Sequence, residues 1–82
     1  MKRTIFGIHI SQRAKSVPDV QAVLSKYGCS IRTRLGIHDA GPTSCSPNGL
    51  VLIDAFGPEI EDFFEELQGI EGVEVQRMDF QD

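Results

Sequence analysis

Cysteine is scarce in this chain: Cys29 and Cys45 are the only two, and no CxxC pair occurs. Two isolated thiols make no disulfide framework, so both are expected to be reduced. Long hydrophobic runs are missing as well. No apolar stretch approaches the ~20 residues that span a bilayer. The opening MKRTIFGIHIS places apolar residues after basic ones, but Gly7 and His9 interrupt it and no small-residue cleavage site follows. It reads as a strand rather than a signal peptide, and the expected location is the cytoplasm. Basic residues are few, 8 Lys and Arg against 12 Asp and Glu, for a formal net charge of −4. A domain that binds nucleic acid unaided needs a basic surface to displace counterions from phosphates, so direct nucleic-acid binding is not expected.

What is present is ordinary for a folded protein: 40% hydrophobic and 24% charged residues in 82 positions. That length holds one domain, residues 1–82, and a single core of this size rarely supplies more than roughly 3–5 kcal/mol of net stability. Small domains of this kind gain further stability from a metal, a disulfide or a second copy.

Six elements can be read from the pattern. Over 4–11, Phe6, Ile8 and Ile10 alternate with Ile5, Gly7 and His9, the period of a half-buried strand. A helix is expected at about 17–27, capped by Ser16, with Pro18 near its first turn and Val17, Val20, Val23, Leu24 and Tyr27 on one stripe. Gly28 stops it. A second strand over 30–38 places Ile31, Thr33, Leu35 and Ile37 on one face and Arg32, Arg34, Gly36 and His38 on the other. The connection DAGPTSCSPNG is dense in turn formers. The third strand, at 50–56, is apolar without alternation through Leu50, Val51, Leu52 and Ile53, as in a strand covered on both sides. A second helix from about Pro58 to Gly69 has acidic residues in its first turn and buries Ile60, Phe63, Phe64 and Leu67. The last strand begins with Val73 and Val75 on one parity and continues with Met78 and Phe80 on the other. That switch predicts a bulge or an association surface near its end.

The order βαββαβ implies an α+β sandwich of ferredoxin-like topology: an antiparallel four-stranded sheet with both helices on one face and strands one and three central. The expected helix-covered face holds Phe6, Ile8, Ile10, Ile31, Leu35, Ile37, Val51, Ile53, Val73 and Val75. The other face would carry Ile5, His9, Arg32, Arg34, His38, Leu50, Leu52 and Asp54. Leaving large apolar side chains in water forfeits roughly 1.5–3 kcal/mol of burial each. A second subunit is the simplest cover.

The run from Arg34 to Ile53, and within it Gly36, Ile37, His38, Cys45, Ser46, Pro47, Asn48, Gly49 and Leu50, resembles the iron-only hydrogenase system regulator family. That family belongs to a wider ACT-like group that also includes the C-terminal sensor domain of the nickel-responsive repressor. The resemblance covers nearly the whole chain. It implies a dimer or tetramer built through the sheets and a regulatory, ligand-binding role, in transcriptional or hydrogenase-related control. The sensor domain takes metal from histidines on its second strand and a cysteine near its third, which His38 and Cys45 match; its other strand histidine is Gly36 here.

His38 and Cys45 bracket the hairpin connection, and His9 lies on the same expected face, so the three are candidate ligands for nickel or zinc. The plainer alternative makes His38 a hydrogen-bonding loop residue and Cys45 a small buried hydrophobe. Arg34, His38, Ser46, Asn48 and Gly49 are the candidates for binding a small anionic ligand, through a guanidinium and the exposed N–H groups of a tight turn. Arg32 could pair with Asp54 across strands. No nucleophile, base and acid fall together, and catalysis is not expected. The expectation is a ligand- or metal-sensing homo-oligomer, with a protein-interaction adaptor lacking any small ligand as the alternative.

Overall fold

The computed structural model describes residues 2–11, 13–38 and 49–81, without the side chains of Lys2, Arg13, Ala14, Lys15 and His38. Cys45, Ser46 and Asn48 lie outside the described residues. The elements follow in the order β1 (Lys2–Ile10), α1 (Arg13–Lys26), a single 3-10 turn (Gly28–Ser30), β2 (Ile31–His38), β3 (Gly49–Ala55), α2 (Ile60–Gln68) and β4 (Val73–Gln81). The four strands form one antiparallel sheet in the order β2-β3-β1-β4, so β1 and β3 are central and β2 and β4 are edges. This is the ferredoxin-like arrangement that the βαββαβ order predicts.

The core forms where apolar parity on the central strands meets the stripes of the two helices. Phe6, Ile8, Ile53, Val20, Phe63 and Leu67 are fully buried. Phe6 meets Phe63 edge to face at 5.1 Å, and Phe63 stacks on Tyr27 at 4.8 Å. These rings bind β1, α1 and α2 into one unit, each pair adding to the burial itself.

Two local expectations are corrected. Helix α1 starts at Arg13, about a turn before 17, so Pro18 lies inside it and Ser16 is not its cap. Ser16 is instead buried, and its hydroxyl donates to the Glu71 carbonyl at 2.9 Å. Beside it, the Ser11 N–H and hydroxyl both donate to the Gly72 carbonyl at 3.1 Å. The two connections that bracket the helices are thereby tied together.

The second correction concerns the faces of β2. The pairing with β3 shifts register between Ile31 and Thr33, a bulge. One extra residue inverts the parity of everything beyond it. Ile31 lies opposite Ala55 on the helix side as expected, but Leu35 and Ile37 then lie opposite Leu52 and Leu50, on the helix-free side. Arg34 and Gly36 fall opposite Ile53 and Val51, on the helix side. The expected shared face for Arg32, Arg34, His38 and His9 is therefore split. Arg32 accompanies Asp54, and His9 accompanies Leu50 on the helix-free side, whereas Arg34 and the register position of His38, opposite Gly49, take the other parity.

No bulge interrupts β4, whose register against β1 is continuous from Gln81 to Val73. Its parity switch has another cause. Past Val75 the helix-side positions are Arg77 and Asp79, and Arg77 is the lid of the core there. Its guanidinium makes two hydrogen bonds to Glu61 of α2, at 2.9 and 3.1 Å, and two to Asp79, at 3.0 and 2.9 Å. It also stands 5.0 Å from the Phe64 ring. Hydrogen bonding to Asp79 and then Glu61 raises its pKa further above an already high value, so the charge is permanent.

Candidate functional site

Two surfaces result from this register. The first is the helix-free side of the sheet. Reading across the strands from β2 to β4, one row is Ile37, Leu50, His9 and Glu74; the next is Leu35, Leu52, Gly7 and Gln76; the next contains Asp54, Ile5 and Met78. Arg3 and Phe80 pair beyond them. Leu35, Ile37, Met78 and Phe80 are the exposed large hydrophobics of the described residues, at 54%, 40%, 54% and 49% exposure, and all four lie on this face. Ile5, Leu50 and Leu52 are half-buried between them. The result is an apolar band running across the sheet from edge to edge. Soluble monomers rarely carry such a contiguous band without a partner for it.

Polar groups flank the band. At one corner the Gln76 side chain donates to Glu74 at 2.7 Å, and with His9, Leu50 and Gly7 they line a shallow depression of about 390 Å³. At the other, Asp54 Oδ1 is buried with no hydrogen-bond partner among the described residues, and the nearby Arg32 Nη1 stands 3.9 Å away, beyond hydrogen-bonding reach. Arg32 rests over the Phe56 ring at 4.7 Å.

The second surface is a cleft of about 170 Å³ between α1 and the edge strand β2. It exists because of the bulge. Where an apolar side chain would normally pack under a helix, β2 presents Arg34 and Gly36 to α1. A Cβ on Gly36 would meet no described atom within 4 Å. Ile10, Val17 and Val51 are among its apolar walls, with Ile37, Gly49 and Leu50 also bordering it, and Gln21 and Arg34 are its polar side chains. Among the described residues Arg34 has no hydrogen-bond or ion-pair partner. Two of the sequence-derived ligand candidates, Arg34 and Gly49, thus converge here, and His38 sits in register with Gly49. Ser46 and Asn48 lie outside the described residues.

Of the three candidate metal ligands, His9 is exposed on the sheet, His38 is described by its backbone alone, and Cys45 lies outside the described residues. Among the described residues no group of three or more His, Cys, Asp or Glu side chains could hold a metal ion. Cys29 is exposed on the 3-10 turn and unpaired. Sequence reasoning missed Gln21, Val17 and Gly36 as a site. The bulge joins them to Arg34, and alternation alone gives no sign of it.

No protein-family model matches the chain, and no curated protein matches it in sequence. Solved structures do. The uncharacterized protein TM1266 from Thermotoga maritima superposes with a TM-score of 0.77 over 99% of this chain and 100% of its own, at 19% identity. CPII, a nitrogen regulatory PII-like protein from Thiomonas intermedia K12, solved with ADP, AMP and bicarbonate, gives 0.56 over 100% of this chain and 96% of its own, at 13% identity. The de novo designed protein Foldit4 gives 0.53 at 11% identity, covering 99% of this chain and 97% of its own. These likenesses establish the class of fold, a small ferredoxin-like or PII-like α+β sandwich. No helix of the described residues is long and apolar enough to cross a membrane.

Proposed function

We propose that the chain is a non-catalytic regulatory module that works as a homo-oligomer, two copies covering one another's helix-free sheet face, and that responds to a small effector. One observation carries this reading: Leu35, Ile37, Met78 and Phe80, the exposed large hydrophobics among the described residues, share that face with Ile5, Leu50 and Leu52. A second copy is the occupant favoured by the face's own charges. Arg3 and Arg32 share it with Asp54 and Glu74, so like surfaces can pair opposite signs. A covering copy would also exclude water from Arg32 and strengthen its attraction to the unsatisfied Asp54 oxygen. The chain's small core gives it reason to associate. The PII-like protein of the same fold carries small ligands, ADP, AMP and bicarbonate, which supports a ligand-responsive role in kind.

Sedimentation at low micromolar concentration tests the reading. The unmodified chain should run as a dimer or larger, and Leu52→Lys, which places an ammonium at the centre of the apolar band, as a folded monomer. A monomeric unmodified chain would defeat the proposal, as would a Leu52→Lys variant that associates normally.

A further inference from the structure

The cleft between α1 and β2 interrupts the apolar packing of the sheet's helix side. The helix side of every central strand is occupied by Phe6, Ile8, Val51 or Ile53, yet β2 supplies Arg34 and Gly36 at the corresponding rows. Voids beside a packed core lose dispersion contacts and are few in native proteins. This one has apolar walls and, among the described residues, one cation in its lining, Arg34.

We propose that this cleft is the effector site and that its ligand is a small monocarboxylate with a short aliphatic body. The proposal deepens the regulatory reading above and rests on it for the word effector. Three features choose the ligand. Arg34, with no partner among the described residues, offers a planar fork suited to a carboxylate, and the Gln21 amide on the facing helix can donate beside it. Ile10, Val17 and Val51 suit a hydrocarbon tail. The volume of about 170 Å³ is small beside the roughly 300–1,000 Å³ of drug-sized sites. It is comparable to the cavity of roughly 150 Å³ that holds one benzene ring. That size sets the tail at a few carbons and leaves no room for a nucleotide. Among the described residues no acidic side chain lines the cleft, so an amino acid would find no partner there for its ammonium. The preferred ligand is therefore a carboxylic acid without an amino group.

Amide chemical shifts of the nitrogen-labelled chain, followed during titration with isovalerate, test this. Isovaleramide and isopentylamine serve as neutral and cationic probes of nearly the same shape. Isovalerate should shift the amides of Arg34, Gly36, Val51 and Gln21 at millimolar concentration, and the other two should not. Arg34→Gln should weaken isovalerate at least about tenfold, the loss of one charge-assisted contact. Gly36→Val keeps Arg34 but fills the cleft; its Cβ meets no described atom within 4 Å and a strand favours valine, so the variant should fold and lose the response. No response to isovalerate, equal responses to all three probes, or a response that survives Gly36→Val would each overturn the proposal. Sedimentation of the same samples separates the two readings. An associated chain indifferent to isovalerate defeats only this inference, and a monomer that binds isovalerate through Arg34 defeats only the association.

Discussion

Gly72 shows how one residue can be fixed by its surroundings. Its φ is +82°, and an added Cβ would come within 2.8 Å of the Ser16 hydroxyl. Both the backbone conformation and the buried Ser16–Glu71 hydrogen bond exclude a side chain. Gly72→Ala should therefore cost about 1–3 kcal/mol in chemical denaturation. Gly69 is the control. Its φ is −76°, and an added Cβ would meet the Glu66 carbonyl oxygen at an ordinary 3.6 Å. Gly69→Ala should leave stability unchanged or raise it by a few tenths of a kcal/mol, about 0.4–1 at most.

At the scale of elements, α1 and α2 are joined at their exposed edge by Glu66, which accepts from Lys26 Nζ at 2.8 Å and from the Tyr27 hydroxyl. The Lys26 hydrogen bond first, and that of Tyr27 second, hold the Glu66 carboxyl below its ordinary 4.5. A depressed carboxyl stabilises the fold above the unfolded value and loses that contribution as pH falls through the folded one. Thermal melts from pH 4.5 downward should accordingly show a steeper loss of stability in the unmodified chain than in Glu66→Gln. A second test at this scale concerns the β2 bulge, which takes Leu35 off the helix-covered face that Ile53 occupies. Ile53 is fully buried, and Ile53→Ala should cost about 2–5 kcal/mol of folding stability. Leu35→Ala, on the helix-free side with 54% exposure, should cost under about 1 kcal/mol when measured on a monomeric background such as Leu52→Lys. Comparable losses at both positions would mean that Leu35 lies beneath the helices.

For the whole molecule, the consequence of an uncovered sheet face is that stability depends on concentration. If folding and association are linked by mass action, Tm should rise with protein concentration in the unmodified chain and stay constant in Leu52→Lys. Because the charges on the face are few and the band between them is apolar, added salt should alter the association little. A strong weakening in moderate salt would assign the contact to the charged corners.

The amino-acid sequence by itself determined the βαββαβ order, the central place of β1 and β3, and the presence of Ile5, Leu50 and Leu52 on the helix-free side. The element order and the two faces of β1 and β3 follow from local patterns of residues close together along the chain, and the central place of those strands follows from the fold that this order implies. Which face Leu35, Ile37 and Arg34 occupy was decided only by the tertiary structure, because a single extra residue at the start of β2 inverts the parity of every position after it. The role of Ser16 was hidden for a related reason: its partner, the Glu71 carbonyl, is far away along the chain, and a serine ahead of a helical stripe looks like a cap wherever its hydroxyl goes. The cleft beside Arg34 was likewise decided by tertiary structure, since it is the space left when two distant elements pack over a strand whose register has slipped.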